Sequence, residues 1–178
     1  MPTPYVSLPS WGVAIILAAS ASPNLFDRVV LIEPVIPSLG DLDGRNSSRR
    51  TTYRARRRRS SFPSHNTFFD YFRSRHRYRL WINETLWLHA FYRTYVDSDD
   101  MVRRKCPPHI EARIIENTRS VDVWAAFNKI RCPTLLMTSS GWTTKVVEEV
   151  MDAMNDITHV EVAGTTRFLT MEQPKALG

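Results

Sequence analysis

At 178 residues, with 43% hydrophobic and 11% aromatic side chains, the chain is one domain's worth of polypeptide able to fill a core. Two cysteines, Cys106 and Cys132, exclude a disulfide-stapled mini-domain, and no apolar run approaches the ~20 residues of a membrane helix. The net charge of +6 is concentrated: eight of the fifteen positions from Arg45 to Arg59 are arginine, and Arg73, Arg75, Arg77 and Arg79 follow. Residues 1–11 lack the basic-then-apolar order of a secretory leader, so a soluble cytoplasmic chain is expected.

Residues 10–23 read as an Ala-, Ile- and Leu-rich helix, stopped at Pro23 because proline has no amide to continue it. Val29 to Ile32 is a continuous apolar run of the kind that forms a strand buried on both faces, followed by Glu33 and Pro34. Residues 37–61 turn to Ser, Gly, Asp and Arg and read as a loop. In the aromatic-rich stretch after it, Phe68 and Phe72, then Leu80, Glu84, Trp87, Leu88 and Phe91, keep helical spacing, with Ser64 and Asn83 as N-caps. Cys106, Pro107 and Pro108 break the pattern, and helices are expected over 109–117 and 121–129. Residues 133–138 read as a buried strand and 144–155 as a helix with Val146, Val147, Val150 and Met154 on one side. Residues 158–162 form another strand, and a last helix opens at Glu172. The alternation implies a parallel sheet with helices on its faces, and three strands are few for one.

Three segments, in this order, carry a resemblance. Ser10-Trp11-Gly12 opens a small-residue helix that leads to the strand ending at Glu33-Pro34. Arg131-Cys132-Pro133 opens the next strand. A run from Val160 through Gly164, Arg167 and Phe168 to Pro174 closes the chain. Together they resemble the C-terminal part of an α/β-hydrolase. The resemblance implies an α/β fold class, a partial α/β-hydrolase fold whose parallel sheet remnant carries a mostly helical cap insertion. It assigns residues 1–36 and 126–178 to the core and 37–125 to an Arg-rich loop and cap. It further implies that the family's early strands are missing, leaving an open sheet edge and a truncated, decayed member.

In that family the nucleophile occupies a Gly-x-Ser-x-Gly elbow. The matching residues are Leu8-Pro9-Ser10-Trp11-Gly12, so Ser10 stands at the nucleophile position, where it also suits a helix N-cap, and Leu8 replaces the first glycine. The resemblance places the oxyanion amide at Trp11 and the base in the loop after the last strand. There the chain has Arg167, a permanent cation that cannot accept a proton. The acid's usual turn, at residues 139–144, holds no Asp or Glu. Glu33 fills the family's alternative acid position, where it is otherwise expected to satisfy backbone amides. The implied function is ester or acyl-bond hydrolysis, weak or lost, on a small apolar or acyl substrate, with no cofactor or metal and no membrane partner. Some members resembling this chain are peroxisomal, yet Ala176-Leu177-Gly178 is not a peroxisomal address.

Two other classes compete. The patch from Arg45 to Arg59 suits nucleic-acid phosphates, but the helical spacing of the aromatics after it fits a cap over an apolar substrate, so a nucleic-acid partner is not expected. A non-catalytic ligand-binding or interaction protein of the same fold fits every feature above.

Overall fold

The computed structural model describes residues 5–9, 12–36, 39, 45–117, 122–142 and 144–177, with 5–9 and 45–48 described by backbone alone. In chain order the elements are β1 (Tyr5–Pro9), α1 (Gly12–Ala21), β2 (Arg28–Ile32), α2 (Arg45–Arg56), β3 (Ser61–Phe62), α3 (His65–Arg73) and α4 (Asn83–Tyr92). They continue with β4 (Thr94–Val96), β5 (Val102–Arg104), α5 (Pro108–Asn117), α6 (Trp124–Phe127), β6 (Thr134–Ser139), α7 (Thr144–Ala153), β7 (Ile157–Val162) and α8 (Leu169–Glu172). Two compact units result: residues 1–43 with 122–170, and residues 44–121 with 171–178.

The first unit is a four-stranded, wholly parallel sheet in the order β1-β2-β6-β7. Its centre is apolar because β2 and β6 pair Leu31 against Leu136, both fully buried. Val29, Leu31 and Leu136 share one face of the pleat with a cluster from α1, α6 and α7 that includes Ile16, Phe127 and Val150. Val30, Leu135 and Met137 alternate to the other face and are half-buried. Each large apolar side chain withdrawn from water contributes about 1.5–3 kcal/mol, so this cluster is the unit's main source of stability.

Helix α1 meets the sheet closely at its first residue. A Cβ on Gly12 would lie 2.7 Å from Pro34 Cβ, so only glycine fits there without a shift. The helix ends at Ala21, with the Ser22 amide bonded to Ala18 O at 3.0 Å just before Pro23. Strand β1 is a fourth strand that the sequence reading does not anticipate; prolines at 2, 4 and 9 hide its alternation. Pro9 lies on what is an edge strand among the described residues, where a missing amide is tolerated.

The second unit corrects several expectations. The Arg-rich segment is not a loop through residue 56: it forms α2, which packs against α5. Thr52 and Ala55 are buried, while Arg56 pairs with Glu116 at 2.8 Å and Arg58 with Glu111. Burial against α5 and these carboxylates favour a helix that composition alone does not reveal. Strands β3, β5 and β4 form a small antiparallel sheet in that order, so the unit is not purely helical.

Helix α3 starts where expected, the Ser64 hydroxyl accepting from the Thr67 amide at 3.1 Å. Asn83, however, is the first residue of α4 and not its cap; its Oδ1 accepts from Arg73 Nη2 at 2.7 Å. The same guanidinium donates to the carbonyls of Tyr78 and Trp81, tying down the turn between the helices. The buried side of α4 is Thr85, Leu86 and Ala90, leaving Leu88 and Phe91 about half exposed. The Thr85 hydroxyl, donating to Met171 O at 2.8 Å, belongs to this inward side, so polar bonding shifts the face away from the apolar stripe. The final helix is also shorter and earlier than expected: α8 ends at Glu172, and Pro174–Ala176 is a 3-10 turn.

Candidate functional site

Two of the expected site residues, Glu33 and Arg167, follow the C-terminal ends of the parallel strands β2 and β7, the edge where open α/β sheets place their sites. Of the four expected site residues, Ser10 and Trp11 lie outside the described residues; Gly12, directly after them, opens α1.

Glu33 follows β2 immediately. Its amide extends the sheet by donating to Met137 O at 3.0 Å, and its side chain is buried. Its φ is +47°, in the left-handed region that costs an ordinary L-residue roughly 1–2 kcal/mol. A following proline normally holds the preceding residue extended, so Glu33-Pro34 runs against two preferences. The carboxylate Oε1 accepts from the backbone amide of Ser139, at the end of neighbouring β6. A buried acid on the shared edge of two central strands is thus held by both main chain and side chain.

Beyond β7, Gly164 takes φ +71° and the buried Thr165 hydroxyl donates to Val162 O at 2.6 Å, turning the chain back. Arg167 lies past this turn, exposed, its guanidinium 5.8 Å from the Phe168 ring centroid.

His159 is the sole histidine in the sequence of the first unit, and it sits on β7. Its Nε2 shares a 2.8 Å hydrogen bond with Thr138 Oγ1, and Thr138 is buried on β6. His159 falls within the strand expected over residues 158–162, and the register of β6 on β7 supplies the partner that the sequence does not reveal. The remaining histidines belong to the second unit. His65 stacks on Phe91 at 4.6 Å, and His89 lies among Phe68, Phe72 and Trp81. Burial first, then the nearby Arg93 and Arg104 charges, lower the His89 pKa from 6.5 to about 4.

Among the described residues no group of three His, Cys, Asp or Glu is placed to hold a metal ion, and no helix is long and apolar enough to cross a membrane. Burial raises the pKa of the Cys132 thiol, the opposite of what a reactive cysteine needs.

The sequence matches no protein-family model and no curated protein. Solved structures do match. The peroxisomal α/β-hydrolase Lpx1 from Saccharomyces cerevisiae superposes with a TM-score of 0.80 at 14% identity, over 97% of this chain and 49% of that one. An esterase from M. tuberculosis gives 0.73 at 19% identity, over 97% and 59%. An α/β hydrolase from Novosphingobium aromaticivorans gives 0.72 at 17% identity, over 97% and 62%. The chain therefore spans 49–62% of the length of these structures, and across that span it has the α/β-hydrolase fold.

Proposed function

We propose that the chain is an α/β-hydrolase-like protein of ester- or acyl-hydrolysing ancestry in which serine catalysis is weak or lost. The observation that carries this reading is Arg167, a permanent cation in the loop after β7, where the resemblance puts the general base. For Ser10 to attack an acyl carbon, its hydroxyl proton must leave as the carbon–oxygen bond forms, and a guanidinium cannot receive it. In this reading the Trp11 amide would hold the developing oxyanion and Glu33 would orient the missing histidine. Without that histidine, Glu33 keeps its bond to the Ser139 amide. The proposed substrate is a small apolar or acyl compound, and the proposed compartment the cytoplasm, with the peroxisome as alternative from the yeast neighbour's name.

A non-catalytic binding role is the second reading. It is favoured by α4, which exposes Leu88, Phe91 and Tyr92 to solvent. Hydrolysis of short-chain nitrophenyl esters tests the first. The chain and its Ser10→Ala variant should hydrolyse at the same rate, and Arg167→His should raise the rate by about tenfold or more. Efficient turnover by the unaltered chain, not raised further in Arg167→His and abolished in Ser10→Ala, overturns the reading.

A further inference from the structure

The charge of the molecule is divided between its units. The sequence of the second unit carries 19 Lys and Arg against 8 Asp and Glu, whereas that of the first carries 5 against 10. Within the second unit the surplus is ordered by α2. At 100° per residue, Arg49, Arg50, Tyr53 and Arg54 fall within about 140° of the helix surface, and the buried Thr52 and Ala55 lie away from that arc. Arg57 follows on the next turn, with its guanidinium 5.4 Å from the Tyr53 ring centroid.

All five side chains are exposed, Tyr53 by 61%. Arg56 and Arg58 are neutralised by Glu116 and Glu111, but Arg49, Arg50, Arg54 and Arg57 have no carboxylate partner among the described residues. The helix thus separates arginines paired with α5 carboxylates from arginines that have no carboxylate partner among the described residues. Four guanidiniums without a carboxylate partner among the described residues, set around one exposed aromatic ring, match a partner carrying regularly spaced anions and flat apolar faces.

We propose that this face of α2 binds single-stranded nucleic acid, the four arginines contacting backbone phosphates and Tyr53 stacking on a base. Arginine's planar fork bonds phosphate oxygens in pairs, and an aromatic ring stacks on any base, so binding is tolerant of sequence. An anionic membrane suits the face less well. A helix that lies in a bilayer surface needs a broad apolar side, and the inward side of α2 offers Thr52 and Ala55, already packed on α5. The expectation against nucleic acid rested on the aromatics of α3 and α4; Tyr53 is not among them.

Fluorescence anisotropy with a labelled single strand of about 20 nucleotides, over a salt series, tests the proposal. Four phosphate contacts predict that log Kd rises by about 3 for each tenfold rise in salt. The variant Arg49→Gln/Arg50→Gln/Arg54→Gln/Arg57→Gln should lose the binding while keeping the circular dichroism of the unaltered chain. Tyr53→Ala should weaken binding about tenfold. Arg56→Gln, whose guanidinium faces Glu116, should bind as the unaltered chain does. The proposal is overturned by any of three results: no salt-sensitive binding, unchanged affinity in the quadruple or Tyr53→Ala variants, or binding to phosphatidylserine vesicles in preference to the oligonucleotide.

Discussion

Glu33 illustrates how much one position can combine: a left-handed backbone, a following proline, burial, and a carboxylate bonded to the main chain of the next strand. Removing that carboxylate leaves the Ser139 amide without its acceptor at a buried position, which costs about 1–3 kcal/mol. Glu33→Ala should therefore lower stability by that amount in urea melts, while Glu33→Gln, which keeps a carbonyl acceptor, should lose less than half as much. Equal losses would mean that the amide bond is not what holds this residue.

His89 supplies a pH signature. Its folded pKa is about 4 against 6.5 when free, so between those values the unfolded chain binds more protons. Its contribution to stability is fully present above pH 6.5 and is lost as pH falls towards 4, a change of roughly 3 kcal/mol. His89→Phe should flatten stability against pH in that window; an unchanged slope would contradict the assignment. The position of Glu33 after a buried strand was legible in the sequence. Its positive φ and the lowered pKa of His89 were not, the latter because it depends first on burial in the folded chain.

At the scale of the element, the close approach of α1 to Pro34 makes a signed prediction. Alanine favours a helix over glycine by about 1 kcal/mol, whereas overpacking a tight contact costs about 1–3 kcal/mol. Because Pro34 is a buried, rigid ring 2.7 Å from the added Cβ, the steric term should win and Gly12→Ala should lower the urea midpoint. A higher midpoint would mean that α1 moves away freely. Among the elements, those with strong periodicity or flanking stops were readable: α1 before Pro23, β2, β6 and α7. Helix α2 was not, since its buried side among the described residues is Thr52 and Ala55, and its charge is offset by carboxylates on α5. The outward face of α4 was misjudged for the same kind of reason, a hydroxyl bonded to Met171 O outweighing a stripe of apolar residues.

At the scale of the whole molecule, a parallel sheet with helices on its faces was legible, and the solved structures agree on the fold. What escaped was pairing at a distance: β1 beside β2, the three short strands β3, β5 and β4, and the bond between Thr138 and His159. The central claim concerns proton removal at Ser10, and fluorophosphonate labelling measures it most directly, since the reagent phosphonylates only a serine that a neighbouring base has activated. The account predicts that the chain and Ser10→Ala label equally, at background. Stoichiometric labelling of the unaltered chain, abolished in Ser10→Ala, would contradict it.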